Sequence, residues 1–275
     1  MSTMLQPRFR RIEPASPRPP WAWAATGLVL GLLLCALIFA PARWLKDWVQ
    51  QASAGQLLLE DARGTLWTGS TRLTLSGGAG SVDVATLPGR LSWRLRPSFT
   101  GGTPGLALEL SAACCLQQAW VWQFLPHLNG LQMVISDNQS QWPAQLLSGL
   151  GTPWNTIAAQ GQLSVGTKAL TLNWVAGRLQ VAGGAQVDAL DLSSRLSTLR
   201  PMGSYRFTLG GGATPELQLT TLSGSLQLSG RGQWVGNKLR FTGEASAAPE
   251  SLTALSNLLN IIGRRDGARS IIQVG

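Results

Sequence analysis

The sequence has little of what catalysis is made from. Its 275 residues include one histidine, one tyrosine and three cysteines, and only 13% of them are charged. A zinc or iron site needs several converging His, Cys or carboxylate ligands, and neither His127 nor the adjacent Cys114 and Cys115 has a second ligand at a metal spacing. General-base work requires an oriented partner, so His127, just after Pro126, reads as a surface loop residue. No G-x-S-x-G elbow, P-loop or G-x-G-x-x-G run occurs, and the acidic residues are too dispersed for a carboxylate pair. The inventory therefore points away from an enzyme and implies no cofactor and no metal.

The shortage of charge also argues against disorder, which combines high charge with low hydrophobicity, whereas 44% of these residues are hydrophobic. The net charge of +9 resembles a nucleic-acid footprint until it is mapped. Arg8, Arg10, Arg11 and Arg18 lie in the first twenty residues, and the later cations are scattered singly except for Arg264, Arg265 and Arg269. Nucleic-acid binders cluster their cations on one face, so no nucleic acid is expected; a solvated surface and attraction to anionic lipid explain the excess.

What is present is one long uncharged run. Trp21 to Ala40 (WAWAATGLVLGLLLCALIFA) would make a helix of about 30 Å, the thickness of a bilayer's hydrocarbon core. Trp21 and Trp23 stand at its start and Trp44 and Trp48 just past its end, where indoles favour the headgroup region. The arginines before it keep that end in the cytoplasm, so everything after Ala40 is exported from a single-pass protein. Ala40-Pro41-Ala42 imitates a signal-peptide cleavage site, but the basic region is long and the apolar run is at the upper limit for such a segment. Cys35 as a lipoprotein anchor is opposed by the large Leu34 before it and reads as lipid-facing filler. The resulting organisation is a basic tail over 1–20, a membrane span over 21–40, a helical stalk over 41–54 and a β-rich exported domain over 55–275.

Within that domain the hydropathy pattern has period two. Trp67, Gly69, Thr71, Leu73 and Leu75 fall on one face of a strand, and Leu91, Trp93 and Leu95 alternate with Ser92, Arg94 and Arg96. Leu106, Leu108 and Leu110 make another strand, and further strands are expected at 157–165, 168–175, 178–182, 186–192, 204–210, 216–222, 224–235 and 238–245. Their spacing leaves no room for helical crossovers, so the fold class is mainly β, an antiparallel curved sheet with a few short helices. The glycine pairs at 77–78, 101–102, 183–184 and 210–212 read as turns. Between 112 and 155 the period loosens; Leu116 to Leu125 suggests a short helix stopped by Pro126, and Pro143 to Leu150 a helix of one or two turns.

From Pro249, Leu252, Leu255, Leu259 and Ile262 recur at helical spacing, with Gly263 as a left-handed cap, a turn over Arg264–Gly267 and a last strand Ser270–Val274. Most of the twelve tryptophans read as core or membrane-edge residues rather than a stacking platform. Cys114 and Cys115, neighbours in an extended segment, would strain to bridge and are expected as two separate packed thiols.

Three segments carry a resemblance. The opener Gly64-Thr65-Leu66-Trp67-Thr68-Gly69-Ser70, the stretch Leu91-Ser92-Trp93-Arg94-Leu95-Arg96-Pro97, and the tail from Ser256 through Gly263-Arg264-Arg265-Asp266-Gly267-Ala268-Arg269-Ser270 resemble the type II secretion pathway protein N. The resemblance implies a non-enzymatic, single-pass inner-membrane protein of the machinery that exports folded proteins, with a periplasmic domain. It further implies partners among the inner-membrane platform proteins, with the secretin as a further candidate. The exported domain is also similar to the half-barrel domains of AsmA-like membrane proteins, which implies an alternative, a lipid-binding or lipid-transport role. That alternative calls for apolar residues on both faces of many strands. Arg264, Arg265 and Arg269 read first as cations completing a helix C-terminus and second as a docking patch.

Overall fold

The computed structural model describes residues 21–212, 214–235 and 238–275; the expected basic tail over 1–20 lies outside them. The chain divides into two units, one ending at Phe39 and one running Ala40–Gly275. The first contains helix α1 (Trp21–Ile38), which buries none of its residues and is long and apolar enough to cross a membrane.

The second unit is a body made of one 16-stranded antiparallel sheet that does not close. Residues 40–42 lead in by pairing with the 64–66 turn: Leu66 donates its N–H to the Ala40 carbonyl at 2.8 Å and Ala42 donates to Gly64 at 3.1 Å. Helix α2 (Arg43–Ala52) follows and packs against the first strand. The strands then run β1 (Leu57–Gly64), β2 (Thr68–Ser76), β3 (Val84–Thr86), β4 (Leu91–Thr100), β5 (Thr103–Ala112), β6 (Trp120–His127), β7 (Gly130–Ile135) and β8 (Asn138–Pro143). After a 3-10 helix (Ala144–Leu150) and one turn of helix, α3 (Trp154–Ile157), come two strands of 16 residues, β9 (Gln160–Val175) and β10 (Arg178–Ser193). The sheet continues through β11 (Gly203–Gly212), β12 (Glu216–Gly224), β13 (Leu226–Val235) and β14 (Lys238–Ala247). Helix α4 (Leu252–Ile262), β15 (Arg264–Asp266) and β16 (Arg269–Val274) finish the chain.

Each main strand pairs with its chain neighbours, with β3 held on β2, β8 on β9, and β16 lying between β14 and β15. Cross-strand partners therefore put one set of side chains on a common face. Trp93 opposes Leu110, Leu108 opposes Trp122, Trp122 opposes Ile135, Ile135 opposes Leu170, and Phe207 opposes both Val187 and Leu219. The opposite face carries Arg94, Glu109, Gln123, Gln132, Asn173, Asp188 and Arg206. A sheet apolar on one side buries that side where something covers it. Near the start the 3-10 helix and the 112–116 turn cover Leu73, Leu75, Leu87 and Leu110; near the end α4 covers Tyr205, Leu219, Leu226, Phe241 and Ala245. Leu255 and Leu259 of α4 are wholly buried there, each worth about 1.5–3 kcal/mol relative to an exposed position.

Several expectations are corrected. Leu116–Leu125 is not a helix: Trp120, Trp122 and Phe124 alternate onto the apolar face as β6, and Pro126 lies beyond the last residue paired to β5, where a missing N–H is tolerated. β1, β3, β7 and β8 have no counterpart in the sequence reading. The segments 157–165 and 168–175 fuse into β9, and 178–182 and 186–192 into β10. The fusion works because Ala169 (φ 48°) and Gly183 (φ 72°) take left-handed conformations at a bulge, which absorbs a register shift without ending either strand. Gly183-Gly184 is thus a bulge rather than a turn, and Gly210–Gly212 extends β11. The 143–150 segment is a 3-10 helix with Pro143 extended before it.

Cys114 and Cys115 are joined by a disulfide, against the expectation of separate thiols. The extended geometry that would have held them apart is absent, because the chain turns there: Cys115 and Leu116 both donate backbone N–H groups to the Ala112 carbonyl. Thiol tagging of the denatured, unreduced protein is expected to add one label, at Cys35, and three after reduction. Three labels before reduction would refute the bond.

Candidate functional site

The signature segments fold into two clusters at opposite ends of the strand order, and the structure does not bring them together. The first is built around Trp93, which is only 6% exposed on β4. Its indole N–H donates to the Leu66 carbonyl at 3.0 Å, tying the β1–β2 turn down onto the neighbouring strand. Gly69, its cross-strand partner, lies directly under the ring: a Cβ there would sit 2.4 Å from Trp93 Cζ2 and 2.5 Å from the Arg63 carbonyl oxygen. Gly64 has φ 92°, and a side chain would strike the Thr68 carbonyl. Trp67 precedes β2 and accepts Leu95 N–H through its carbonyl at 2.7 Å.

A polar knot stands beside this turn. Asp61, at the β1 bulge with φ 49°, faces Arg63, Arg72 and Arg90; Arg90 also donates to the Ser70 hydroxyl and carbonyl. Hydrogen bonds from Arg63 and then Arg90 hold the Asp61 carboxyl below its usual range. A shallow cleft of about 410 Å³ is lined here by Gly64, Gly69, Ser92, Trp93, Arg94 and Glu109. Its carboxylate, Glu109, is already paired with Arg96.

The second cluster closes the C-terminal end. Gly263 is extended (φ −169°) instead of left-handed, and a Cβ on it would sit 2.5 Å from the Ile271 carbonyl oxygen, so close approach to β16 explains the glycine. Ser270, fully buried, donates its hydroxyl to the Leu259 carbonyl at 2.5 Å and satisfies an orphan acceptor of the last turn of α4. The sequence pattern sets the arginines beside this helix end as cations facing its dipole, and no side-chain bond from them to α4 accompanies the Ser270 contact among the described residues. Arg264 and Arg265 form β15, with Gly267 (φ 59°) in the turn to β16; Arg265 donates to the Gly267 carbonyl at 2.8 Å, and Arg269 pairs with Glu244 at 3.3 Å. All three arginines are exposed.

Asp188, Asp137 and Tyr205 are committed as well. Asp188 is gripped by the Arg206 guanidinium through Nε at 2.7 Å and a terminal nitrogen at 2.8 Å, which lowers the carboxyl's pKa and raises that of the guanidinium. A cleft of about 570 Å³ on the polar face includes this Asp188 together with Asp137, whose carboxylate accepts the Ala169 N–H at 2.6 Å. Burial pushes the Tyr205 hydroxyl up, and that hydroxyl donates to the Leu226 carbonyl at 3.1 Å. His127 is exposed at the β6–β7 hairpin beside Gln132. Among the described residues no group of three or more His, Cys, Asp or Glu could hold a metal ion. Carboxylates held ionised by guanidinium groups are weak bases, so these clusters are suited to fixing shape and presenting charge.

Sequence reading misses Asp61 and with it the partner Arg90, because β1 is not recognised; the run Leu57-Leu58-Leu59 ahead of Glu60 and Asp61 is the available signal. A family model described as type II secretion system (T2SS), protein N matches residues 55–272. No curated protein and no solved structure gives a significant match to the chain. The matched span begins just ahead of β1, ends inside β16 and takes in both clusters.

Proposed function

The chain belongs to the family of type II secretion system protein N, and from that premise we propose that it is an inner-membrane accessory component whose body works in the periplasm by touching other proteins. Membership supports an accessory role in type II secretion. The finer reading has α1 spanning the membrane with its N-terminus in the cytoplasm, and the body meeting the inner-membrane platform proteins and the secretin. The observation that carries it is the family match over residues 55–272, nearly all of the sheet, together with the apolar helix α1 ahead of it.

The geometry limits how such contacts form. The sheet ends at β15, three residues long and made of Arg264, Arg265 and Asp266, while α2 lies along β1 at the other end. A short charged edge resists strand addition, so contacts through side chains are favoured over sheet extension. The lipid-handling alternative needed apolar residues on both faces; the Arg, Gln and Asp residues of the second face favour the protein-contact reading.

The test is crosslinking in membranes with the body as bait, coupled to a charge reversal. Arg265→Glu is expected to leave the melting midpoint nearly unchanged, as exposed substitutions usually cost within about 0.5 kcal/mol. If Arg265 anchors a contact worth about 1.4–2 kcal/mol, partner capture falls about ten- to thirtyfold and secretion with it. Unchanged capture and secretion remove the docking role of this arginine.

A further inference from the structure

The strand ends differ in a way the contacts above do not use. Along one edge the sheet turns by short links alone, at 64–68, 100–103, 127–130, 175–178, 212–216 and 235–238. The cross-strand registers put these links on the same side: His127 opposes Gly130, Gly130 opposes Val175, and Phe99 opposes Pro104. The opposite edge holds the long connections, including the 3-10 helix and the 194–202 loop, that cover the apolar face.

The short-link edge is unusually greasy. Leu128 at the β6–β7 tip is 105% exposed and Phe99 at the β4–β5 tip 80% exposed; Leu106, Leu131 and Trp174 are exposed on these or neighbouring strands, and Val235 further along at the β13–β14 tip. Large apolar side chains at three successive tips, 100–103, 127–130 and 175–178, with none of the described residues over them, mark a surface that meets another phase or partner. Charge supports a choice between these. Arg178 and Lys238 sit in the links and Arg240 just beyond, all exposed, whereas the carboxylate in these links among the described residues is Glu216, to which Gln233 donates.

The path of the chain supports the same choice. Ala40 joins the body at the 64–66 turn, on this edge, one residue after the unit that holds α1 ends at Phe39. Thr68 opposes Arg94, so the tips at 100–103 and 127–130 stand several residues further out along the strands than that point. The segment that leads from α1 therefore enters the body at this edge and not at the one that holds the long connections.

We propose that the row of hairpin tips, led by Leu128 and Phe99 and carrying Arg178 at the next tip and Lys238 and Arg240 at the β13–β14 tip, docks into an anionic lipid surface. Apolar tips enter the headgroup region and the cations meet lipid phosphates, the pairing by which amphipathic surfaces bind membranes. The proposal rests on the anchored reading of α1 and goes beyond it, since an anchor alone leaves the body free in water.

The test uses the full chain with Cys35→Ser, reconstituted in nanodiscs of phosphatidylcholine and phosphatidylglycerol and spin-labelled at Leu128→Cys or, as the control, Val82→Cys. Val82 is 92% exposed in the connection between β2 and β3, on the opposite edge. The expected result is a label at 128 that collides severalfold more with dissolved oxygen, and severalfold less with a water-soluble nickel chelate, than the label at 82. A label at 128 as open to the chelate as that at 82 overturns the docking, as does one shielded from both reagents, which would signal a protein contact. If the chain fails to co-elute with the nanodiscs, the anchored reading falls and the docking falls with it. Co-elution with a water-exposed label at 128 sinks the docking alone.

Discussion

Trp93→Ala is expected to destabilise the body by about 3–5 kcal/mol, the range for truncating a buried aromatic. For a body of this size each kcal/mol moves the melting midpoint by about 2–4 °C, so the thermal transition should fall by roughly 10 °C. The argument rests on three jobs done by one side chain. The ring fills the space above Gly69, joins β4 to β2 on the apolar face, and donates the hydrogen bond that holds the Leu66 carbonyl. Trp93→Phe separates them: it keeps most of the packing and loses the N–H, leaving Leu66 short of a donor at a cost of about 1–3 kcal/mol. Circular-dichroism melts of the two variants decide the matter. Equal and small losses would mean that the turn is held by its backbone bonds, Leu66 N–H to Ala40, Ala42 N–H to Gly64, Thr65 N–H to Thr68 and Leu95 N–H to Trp67.

The value of this tryptophan was partly legible in the sequence, and the reason is instructive. Leu91, Trp93 and Leu95 alternate with Ser92, Arg94 and Arg96, so the inward face of β4 could be read directly from period two. The pairing with Gly69 could not, because register depends on where two strands start relative to one another, and the connection from β2 to β4, which carries β3, hides that offset in the sequence. The same limit explains the middle of the chain. Trp120-Val121-Trp122-Gln123-Phe124-Leu125 is apolar on both sides of the alternation, so its period fits helix or strand, and only the neighbouring β5 and β7 select the extended form. In the second cluster the arginines were visible and their role was not. Ser270 takes the helix carbonyl because β16 returns under α4, a long-range contact that no local pattern encodes.

The apolar face near the C-terminal end supplies the other large effect, and it depends on three glycines that a sequence reading sees only as weak strand formers. Gly230, Gly232 and Gly243 all lie beneath the ring of Phe241: a Cβ on them would sit 2.3 Å from Phe241 Cζ, 3.1 Å from Cδ2 and 2.9 Å from Cε1 respectively. The missing side chains make the bed on which the ring lies flat, with α4 packed in the same cluster. Phe241→Ala should therefore cost about 3–5 kcal/mol through lost burial and the hole it leaves. Gly230→Ala alone should cost about 1–3 kcal/mol, because the new methyl drives the ring off its bed into a filled core. The two changes should not add. With the ring gone, the methyl of Gly230→Ala occupies part of the void and the strand loses a flexible residue, so the double variant should be no less stable than Phe241→Ala alone. That outcome is a coupling of about 1–3 kcal/mol, well above the few tenths expected of independent sites. Denaturant melts of the four proteins measure it, and strict additivity would show that the glycines are turn-derived accidents and that the ring packs elsewhere.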